Sequence, residues 1–166
     1  AIKKVKQYAE QGYTSAVLVD LSKYFDTLNH ELLMNLLRRN IHDKRVIGLI
    51  KRYLKAGVME NGLKVKTEEG SPQGGPLSPL LANIYLNEYD WEMARRGVPV
   101  IRYADDIVVL AKSPRAAQRL LESTQRYLEG KLKLKMNGEK SKVVSVYSIR
   151  NFKLSLIIGK CIADTS

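Results

Sequence analysis

Cysteine and histidine are nearly absent from this 166-residue chain, which has one cysteine, Cys161, and two histidines, His30 and His42. A lone cysteine excludes an intrachain disulfide framework and a cysteine-based zinc cluster. The metal ligands that remain are mainly carboxylates, which suit hard cations such as Mg²⁺. The histidines are expected at helix starts rather than in chemistry.

Long apolar runs are also missing. No stretch approaches the roughly 20 apolar residues that a membrane span needs, so no membrane partner is expected. The basic opening "AIKKVKQYAE" lacks the apolar segment that would follow in a secretory signal. The length suits one domain, since domains commonly have about 100–200 residues.

Positive charge is in excess, with 28 Lys and Arg against 17 Asp and Glu and a net charge of +11. The excess is largest in residues 113–166, which hold 11 basic and 4 acidic residues. A polyanion such as nucleic acid is the natural partner of such a surface. The alternative is a basic surface that only keeps the chain soluble.

The order of apolar patterns predicts an α+β fold, with helices packed on one face of an antiparallel sheet. A buried strand is expected over residues 14–21, ending at Asp20, and a hairpin is expected around Asn61 and Gly62. Asp43 is expected to cap the second helix, which Gly57 would end, and Ser113 is expected to cap the last helix. The residues expected to face inward from the first three helices are Leu32, Leu33, Leu36, Leu37, Val46, Ile47, Ile50, Leu54, Leu77, Leu81, Ile84 and Tyr85.

Three aspartates stand at strand ends. Asp105 and Asp106 interrupt the apolar, β-branched stretch "RYADDIVVLA" where a hairpin turn is expected, and Asp20 ends another apolar strand. Adjacent carboxylates repel unless a neighbouring charge neutralises them. If the strands are neighbours, the carboxylates converge and can hold two Mg²⁺ about 4 Å apart. Each piece alone is more simply a polar turn or a strand cap.

The motifs "VDLSKYFDTLNH", "SPQGGPLSPLLANIYLNEYD" and "YADD", in this order, resemble reverse transcriptases, above all those encoded by group II introns, the intron maturases. The resemblance covers residues 1–147. It implies a right-handed polymerase palm with part of the fingers, forming a single domain over residues 1–166. The thumb, maturase and endonuclease regions are expected to be absent. The stretch after Tyr147 departs from the family's primer-gripping turn.

The resemblance also implies roles for individual residues. Asp20 and Asp105 would be the main ligands of two Mg²⁺ ions, with Mn²⁺ as a possible substitute. Asp106 would be the third catalytic carboxylate, and the carbonyl of Leu21 a further metal ligand. Basic side chains would face a nucleic-acid backbone, or merely solvent, at Lys131, Lys133 and Lys135. The residues implied in nucleotide binding are Lys23, Tyr24, Phe25, Gln73, Gly74 and Lys140.

The function implied is that of an RNA-directed DNA polymerase, linked to the splicing and mobility of a group II intron. Its partners would be intron or template RNA, a DNA primer and dNTPs, in the cytoplasm and at the nucleoid during mobility. This piece alone is expected to be inactive. The alternative is a non-catalytic RNA-binding module that assists intron folding. A palm of another nucleotidyl-transferring or cyclase type ranks lower, because it would lack "PQGGP" and the spacing from Asp20 to Phe25.

Overall fold

A computed structural model describes residues 2–55, 58–60, 63–65, 71 and 75–151. The fold combines helices with an antiparallel sheet, as the sequence predicts. Two 3₁₀ turns, Tyr24–Asp26 and Val146–Asn151, complete the described part. In chain order the helices and strands are α1 (Ile2–Glu10), β1 (Ser15–Val19), α2 (His30–Arg38), α3 (Lys44–Lys55), β2 (Val58–Glu60), β3 (Leu63–Val65), α4 (Ser78–Arg95), β4 (Val100–Tyr103), β5 (Asp106–Ala111), α5 (Pro114–Gly130) and β6 (Lys142–Ser145).

Four strands form the main sheet in the order β4-β5-β1-β6, and every neighbouring pair is antiparallel. The strands β2 and β3 pair separately, with Glu60 opposite Leu63, which confirms the predicted hairpin. The expected turn residues Asn61 and Gly62 lie outside the described residues. The most buried strands, β1 and β5, lie at the centre of the main sheet because their apolar residues can be covered on both faces.

Alternate residues of β1 and β5 face opposite sides of the sheet, as the period of two requires. The first face belongs to the larger core, in which the side chains of Val17 and Val109 pack with α2, α3, α4 and α5. The second face belongs to a smaller core, which contains Ala16 and Leu110. Val5 of α1 packs in this second core, so α1 covers the face opposite the other helices.

The predicted helix starts are confirmed. Asp43 Oδ1 accepts a hydrogen bond from the Arg45 amide ahead of α3, and Ser113 Oγ accepts one from the Ala116 amide at the start of α5. His30 begins α2, and His42 lies two residues before α3. The helix end predicted at Gly57 lies outside the described residues.

Most of the predicted inward positions are buried or half-buried, including Leu33, Leu54 and Tyr85. Val46 is an exception, because its side chain is 41% exposed on the outer side of α3. In the described ranges, no helix has the length and apolar character that crossing a bilayer demands.

Candidate active site

Four strand ends meet at one end of the main sheet. Val19, the last residue of β1, lies opposite Ile107 near the start of β5, and Lys142, the first residue of β6, lies opposite Leu18. Tyr103 ends β4 opposite Asp106. Antiparallel order therefore brings the end of β1, the β4–β5 turn and the start of β6 to the same edge of the fold.

The register brings Asp20 beside Asp106. Since Val19 pairs with Ile107, continuing the register by one residue sets these two aspartates opposite each other. Residues directly opposite in an antiparallel pair have Cβ atoms about 4.5–5.5 Å apart, and like charges there repel. Asp20, Asp105 and Asp106 are all half-buried. The three carboxyl groups thus lie at one end of the sheet and remain partly open to solvent.

The hairpin turn is centred one residue earlier than the sequence suggested. Because Tyr103 pairs with Asp106, the two turn residues are Ala104 and Asp105, and Asp106 is the first residue of β5. Ala104 has a positive φ of 54°, whereas Asp105 does not have a positive φ. This is the φ pattern of a type II′ turn, in which only the first central residue needs the left-handed region. The strain therefore falls on an alanine, and the two aspartates keep ordinary backbone conformations.

The backbone of Asp20 is held from the β6 side. Its carbonyl accepts a hydrogen bond of 2.8 Å from the Asn137 amide, and its amide donates one of 3.0 Å to Ser141 Oγ. Backbone carbonyls alternate in direction along an extended chain. Leu21 pairs with Met136 through the bonds of its neighbours, from the Ser22 amide to the Lys135 carbonyl and from the Asn137 amide to the Asp20 carbonyl. The Leu21 carbonyl therefore points away from this segment, toward the side where β5 lies.

The donors at this edge are hard oxygen atoms, which are the ligands that Mg²⁺ prefers. Within the described ranges, however, no group of three or more Asp, Glu, His or Cys side chains is arranged to hold a metal ion. Mg²⁺ usually keeps several waters and uses one or two carboxylates together with substrate phosphates. The donor chemistry therefore fits a Mg²⁺ ion that takes its remaining ligands from the substrate.

The residues after Leu21 form a tight turn. Lys23 has φ and ψ of 46° and 46°, in the left-handed region, and the right-handed 3₁₀ turn follows it at once. Successive residues of opposite hand point their amides toward one concavity, which binds anions. Tyr24 is buried beneath this turn and donates its hydroxyl to the Ala82 carbonyl, and burial raises its pKa well above the ordinary value. Phe25 is half-buried against the Tyr24 ring, with 5.4 Å between ring centroids.

Gln73 and Gly74 lie outside the described residues. The residue that leads into this segment, Ser71, is buried, and its amide donates a 2.7 Å hydrogen bond to the Phe25 carbonyl. The chain thus enters the "PQGG" motif beside Phe25.

The predicted nucleic-acid lysines have exposed side chains, namely Lys131, Lys133 and Lys135. Lys140 is also exposed and directly precedes Ser141, at the end of the sheet where the aspartates meet. These lysines are therefore open to a large polyanion, and Lys140 adjoins a residue that bonds the Asp20 backbone.

Sequence reasoning missed an ion pair beside the turn. Arg102 donates from Nε and Nη2 to the carboxylate of Asp90 on α4, at distances between 2.6 and 3.0 Å. A groove of about 1110 Å³ along β4 is lined in part by Arg102, Tyr103 and Asp90. The signal in the sequence was a charged residue at an inward position of an apolar strand, since Arg102 lies opposite Ile107.

Comparison with known proteins identifies the class. Residues 2–154 match the profile of the family described as Reverse transcriptase (RNA-dependent DNA polymerase). The chain belongs to this family.

Individual relatives narrow the identification. Protein YkfC of Escherichia coli (strain K12) is 36% identical, over 88% of this chain and 48% of that protein. Group II intron-encoded protein LtrA of Lactococcus lactis subsp. cremoris is 33% identical over 147 residues, or 89% of this chain and 23% of that protein. The match to LtrA, together with the family profile, confirms the predicted resemblance to group II intron reverse transcriptases. The chain spans less than half the length of either relative.

A solved structure shows the same fold at low identity. Apo telomerase from Candida tropicalis, truncated from the C-terminal domain, superposes with a TM-score of 0.67 and 12% identity over 86% of this chain and 34% of that one. The likeness confirms the antiparallel palm-type fold.

Proposed function

We propose that the protein carrying this chain is an RNA-directed DNA polymerase that adds deoxynucleotides to a primer on an RNA template. In this reaction the primer 3′-hydroxyl oxygen bonds to the α-phosphorus of a dNTP, and the bond to pyrophosphate breaks. The observation that carries the proposal is the meeting of Asp20, the Ala104–Asp105 turn and Asp106 at one sheet end in a chain of the reverse transcriptase family. The chain would be the palm with part of the fingers.

The carboxylates of Asp20 and Asp105 are proposed to hold Mg²⁺, or Mn²⁺ in its place, with the Leu21 carbonyl as a further ligand and Asp106 in support. When bound, two such ions favour ionisation of the attacking hydroxyl and neutralise charge on the leaving pyrophosphate. The side chains at this edge would then orient the primer end and the triphosphate. Lys140 would lie near the leaving pyrophosphate and supply a positive charge or a proton.

The residues after Leu21 are proposed to bind the incoming nucleotide. The opposite hands of Lys23 and Tyr24 support an amide concavity for the triphosphate. Phe25 would lie beneath the sugar, where its ring would collide with a 2′-hydroxyl and so select deoxynucleotides. Gln73 and Gly74 would contact the nucleotide from the loop that begins beside Phe25.

The substrate partners in this proposal are intron or template RNA, a DNA primer and dNTPs, and Lys131, Lys133 and Lys135 would face the nucleic-acid backbone. A cytoplasmic location, with the nucleoid as the place of mobility, belongs to the same proposal. The net charge of +11 supports a second candidate, a non-catalytic RNA-binding module that assists intron folding.

The deciding experiment is primer extension on an RNA template with Mg²⁺, using the natural full-length protein. Asp105→Ala is expected to abolish extension, because it removes a proposed metal ligand. Glu122→Gln is the control, since it also removes one negative charge but lies at an exposed position of α5. Normal extension by Asp105→Ala would disprove the catalytic role. Loss of extension with unchanged RNA affinity would separate catalysis from RNA binding, whereas an inactive wild type that binds RNA would favour the second candidate.

A further inference from the structure

One arginine joins the long helix of the fold to the turn that carries Asp105. Besides its contacts with Asp90, Arg102 Nη1 donates to Asn83 Oδ1 at 2.8 Å and to the Ala104 carbonyl at 2.9 Å. Both α4 partners lie on one side of that helix, since seven residues make about two turns. A single guanidinium thus bonds two points on α4 and one on the turn.

The helix end of this link is fixed. Two fully buried tyrosines hold α4 in the core: the Tyr85 hydroxyl donates to the Leu132 carbonyl, and the Tyr89 hydroxyl bonds to Thr124 Oγ1. The side chain of Arg102 itself is only 14% exposed. A planar guanidinium with several fixed partners loses its freedom to move, so the position of α4 is passed on to the turn.

The turn end of the link acts at the strained residue. Ala104 has a φ of 54°, a conformation that L-residues adopt at a cost of about 1 kcal/mol or more. Its carbonyl, which Arg102 holds, belongs to the same planar peptide unit as the Asp105 amide. Fixing the carbonyl therefore fixes the plane from which the Asp105 side chain extends.

We propose that Arg102, held by Asp90 and Asn83, is the positioning residue of the aspartate turn, fixing the orientation of Asp105 through the Ala104 carbonyl. The proposal rests on the proposed polymerase function for its activity test, but its structural part does not depend on activity. Arg102 does not itself touch the reacting atoms. It sets where a metal ligand lies.

Lysine cannot replace this arginine. An ammonium group could pair with Asp90, but it is a compact charge and lacks the fork that reaches Asp90, Asn83 and the Ala104 carbonyl together. Arg102→Lys therefore keeps the charge and removes the geometry. A purely electrostatic role would tolerate this change, whereas a positioning role would not.

The test compares Arg102→Lys with Arg95→Lys in the natural full-length protein. Arg95 is a matched control, because it also donates from Nε and Nη2 to one carboxylate, that of Glu92, but makes its pair on the exposed side of α4. Two experiments are done: single-turnover primer extension on RNA with Mg²⁺ over a range of dNTP concentrations, which gives the maximal rate and the dNTP half-saturation, and hydrogen exchange of the amides in residues 103–107. A variant of the second anchor, Asn83→Ala, is carried through both measurements in case Arg102→Lys folds poorly.

Arg102→Lys is expected to slow extension at least roughly tenfold, with dNTP half-saturation changed less than about threefold, and to speed exchange in the turn. Asn83→Ala should do the same to a smaller extent, and Arg95→Lys should match the wild type in both. Wild-type rate and exchange in folded Arg102→Lys would overturn the proposal, as would an equal effect of Arg95→Lys. If the wild type extends no primer, the polymerase function fails, and the exchange result alone decides whether Arg102 holds the turn.

Discussion

Buried tyrosine hydroxyls are distributed along the helical core, where they bond to oxygen partners. Tyr24 donates to the Ala82 carbonyl, Tyr85 to the Leu132 carbonyl, and Tyr89 bonds to Thr124. A hydroxyl buried without a partner costs about 1–3 kcal/mol, so these bonds allow large rings to enter the core. Burial raises the pKa of Tyr24 and Tyr89, because desolvation disfavours their ionised forms in the folded state.

Tyr89 gives this effect a measurable pH dependence. Burial raises its pKa from 10.0 to about 12. Its contribution to stability is therefore complete below pH 10 and is lost as the pH rises from about 10 to 12, because the unfolded chain ionises first. Two pKa units correspond to about 2–3 kcal/mol. We expect the unfolding free energy of Tyr89→Phe, measured by urea denaturation, to fall less steeply than that of the wild type over this pH range.

The control for this experiment is Tyr147→Phe, because that ring is 71% exposed. Its curve should run parallel to that of the wild type. If the unfolding free energy of Tyr89→Phe also fell with pH in parallel with that of the wild type, the buried hydroxyl would not govern stability at alkaline pH.

Single residues of the candidate site differ in how far the sequence could predict them. The aspartates and Phe25 follow from local motifs. Ser141 and Arg102 do not, because their partners Asp20 and Asp90 are 121 and 12 residues away in sequence. Only the sheet register and the packing of α4 bring them together. The charged pair predicts a turn centred on Asp105 and Asp106, whereas the register makes Ala104 and Asp105 the turn residues.

At the scale of helices and strands, the sequence predicts correctly the features that depend on local hydrogen bonds to the backbone. Asp43 and Ser113 were recognisable, since each side-chain oxygen bonds an amide that the helix cannot satisfy. Helix α1 was not predicted, although Val5 lies three and four residues before Tyr8 and Ala9, all packed in the second core. Spacing alone predicts that Val46 faces inward, but it lies on the uncovered side of α3.

The cap of α2 can be tested with a matched pair. Asn29→Ala removes the hydrogen bond to the Leu32 amide and is expected to cost about 1 kcal/mol of unfolding free energy. Asn35→Ala makes the same chemical change within the same helix, where the exposed Asn35 side chain accepts a hydrogen bond from Arg38 at the surface. It should stay within about 0.5 kcal/mol of the wild type. Urea midpoints measure both, and equal losses would show that the effect is not specific to the cap, because alanine has a higher helix propensity than asparagine.

The whole molecule divides its two sheet faces between different tasks. Helices α2, α4 and α5 cover the face of the larger core, while Asp20 and Asp106 occupy positions that continue the alternation of the second face. The fold class could be predicted because the order of apolar patterns allowed few arrangements. The sheet face that carries the site could not be predicted. It depends on the register at the strand ends and on which face α1 covers.

Charge acts at the scale of the whole molecule and sets the final prediction. Between residues 131 and 136, exposed lysines alternate with the buried residues Leu132, Leu134 and Met136, so the basic groups lie on the outer side of this segment. This segment bonds to the chain around Asp20, at the end of the sheet where the aspartates meet. A nucleic acid bound at that end would therefore meet these lysines first.

Replacing three lysines of this segment by alanine, namely Lys131, Lys133 and Lys135, is expected to weaken binding of single-stranded RNA. The salt slope of log Kd should fall by about 0.7 for each phosphate that the variant no longer neutralises. The control triple removes the same charge from exposed positions of α5, namely Arg115, Arg119 and Arg126. Because α5 begins just after Ala111, which pairs with Ser15 at the end of the sheet far from Asp20, the slope of this control should remain close to that of the wild type. Equal salt slopes for the two triple variants would mean that RNA binding depends only on the net charge of the protein. The RNA would then not be bound at the end of the sheet that carries the aspartates.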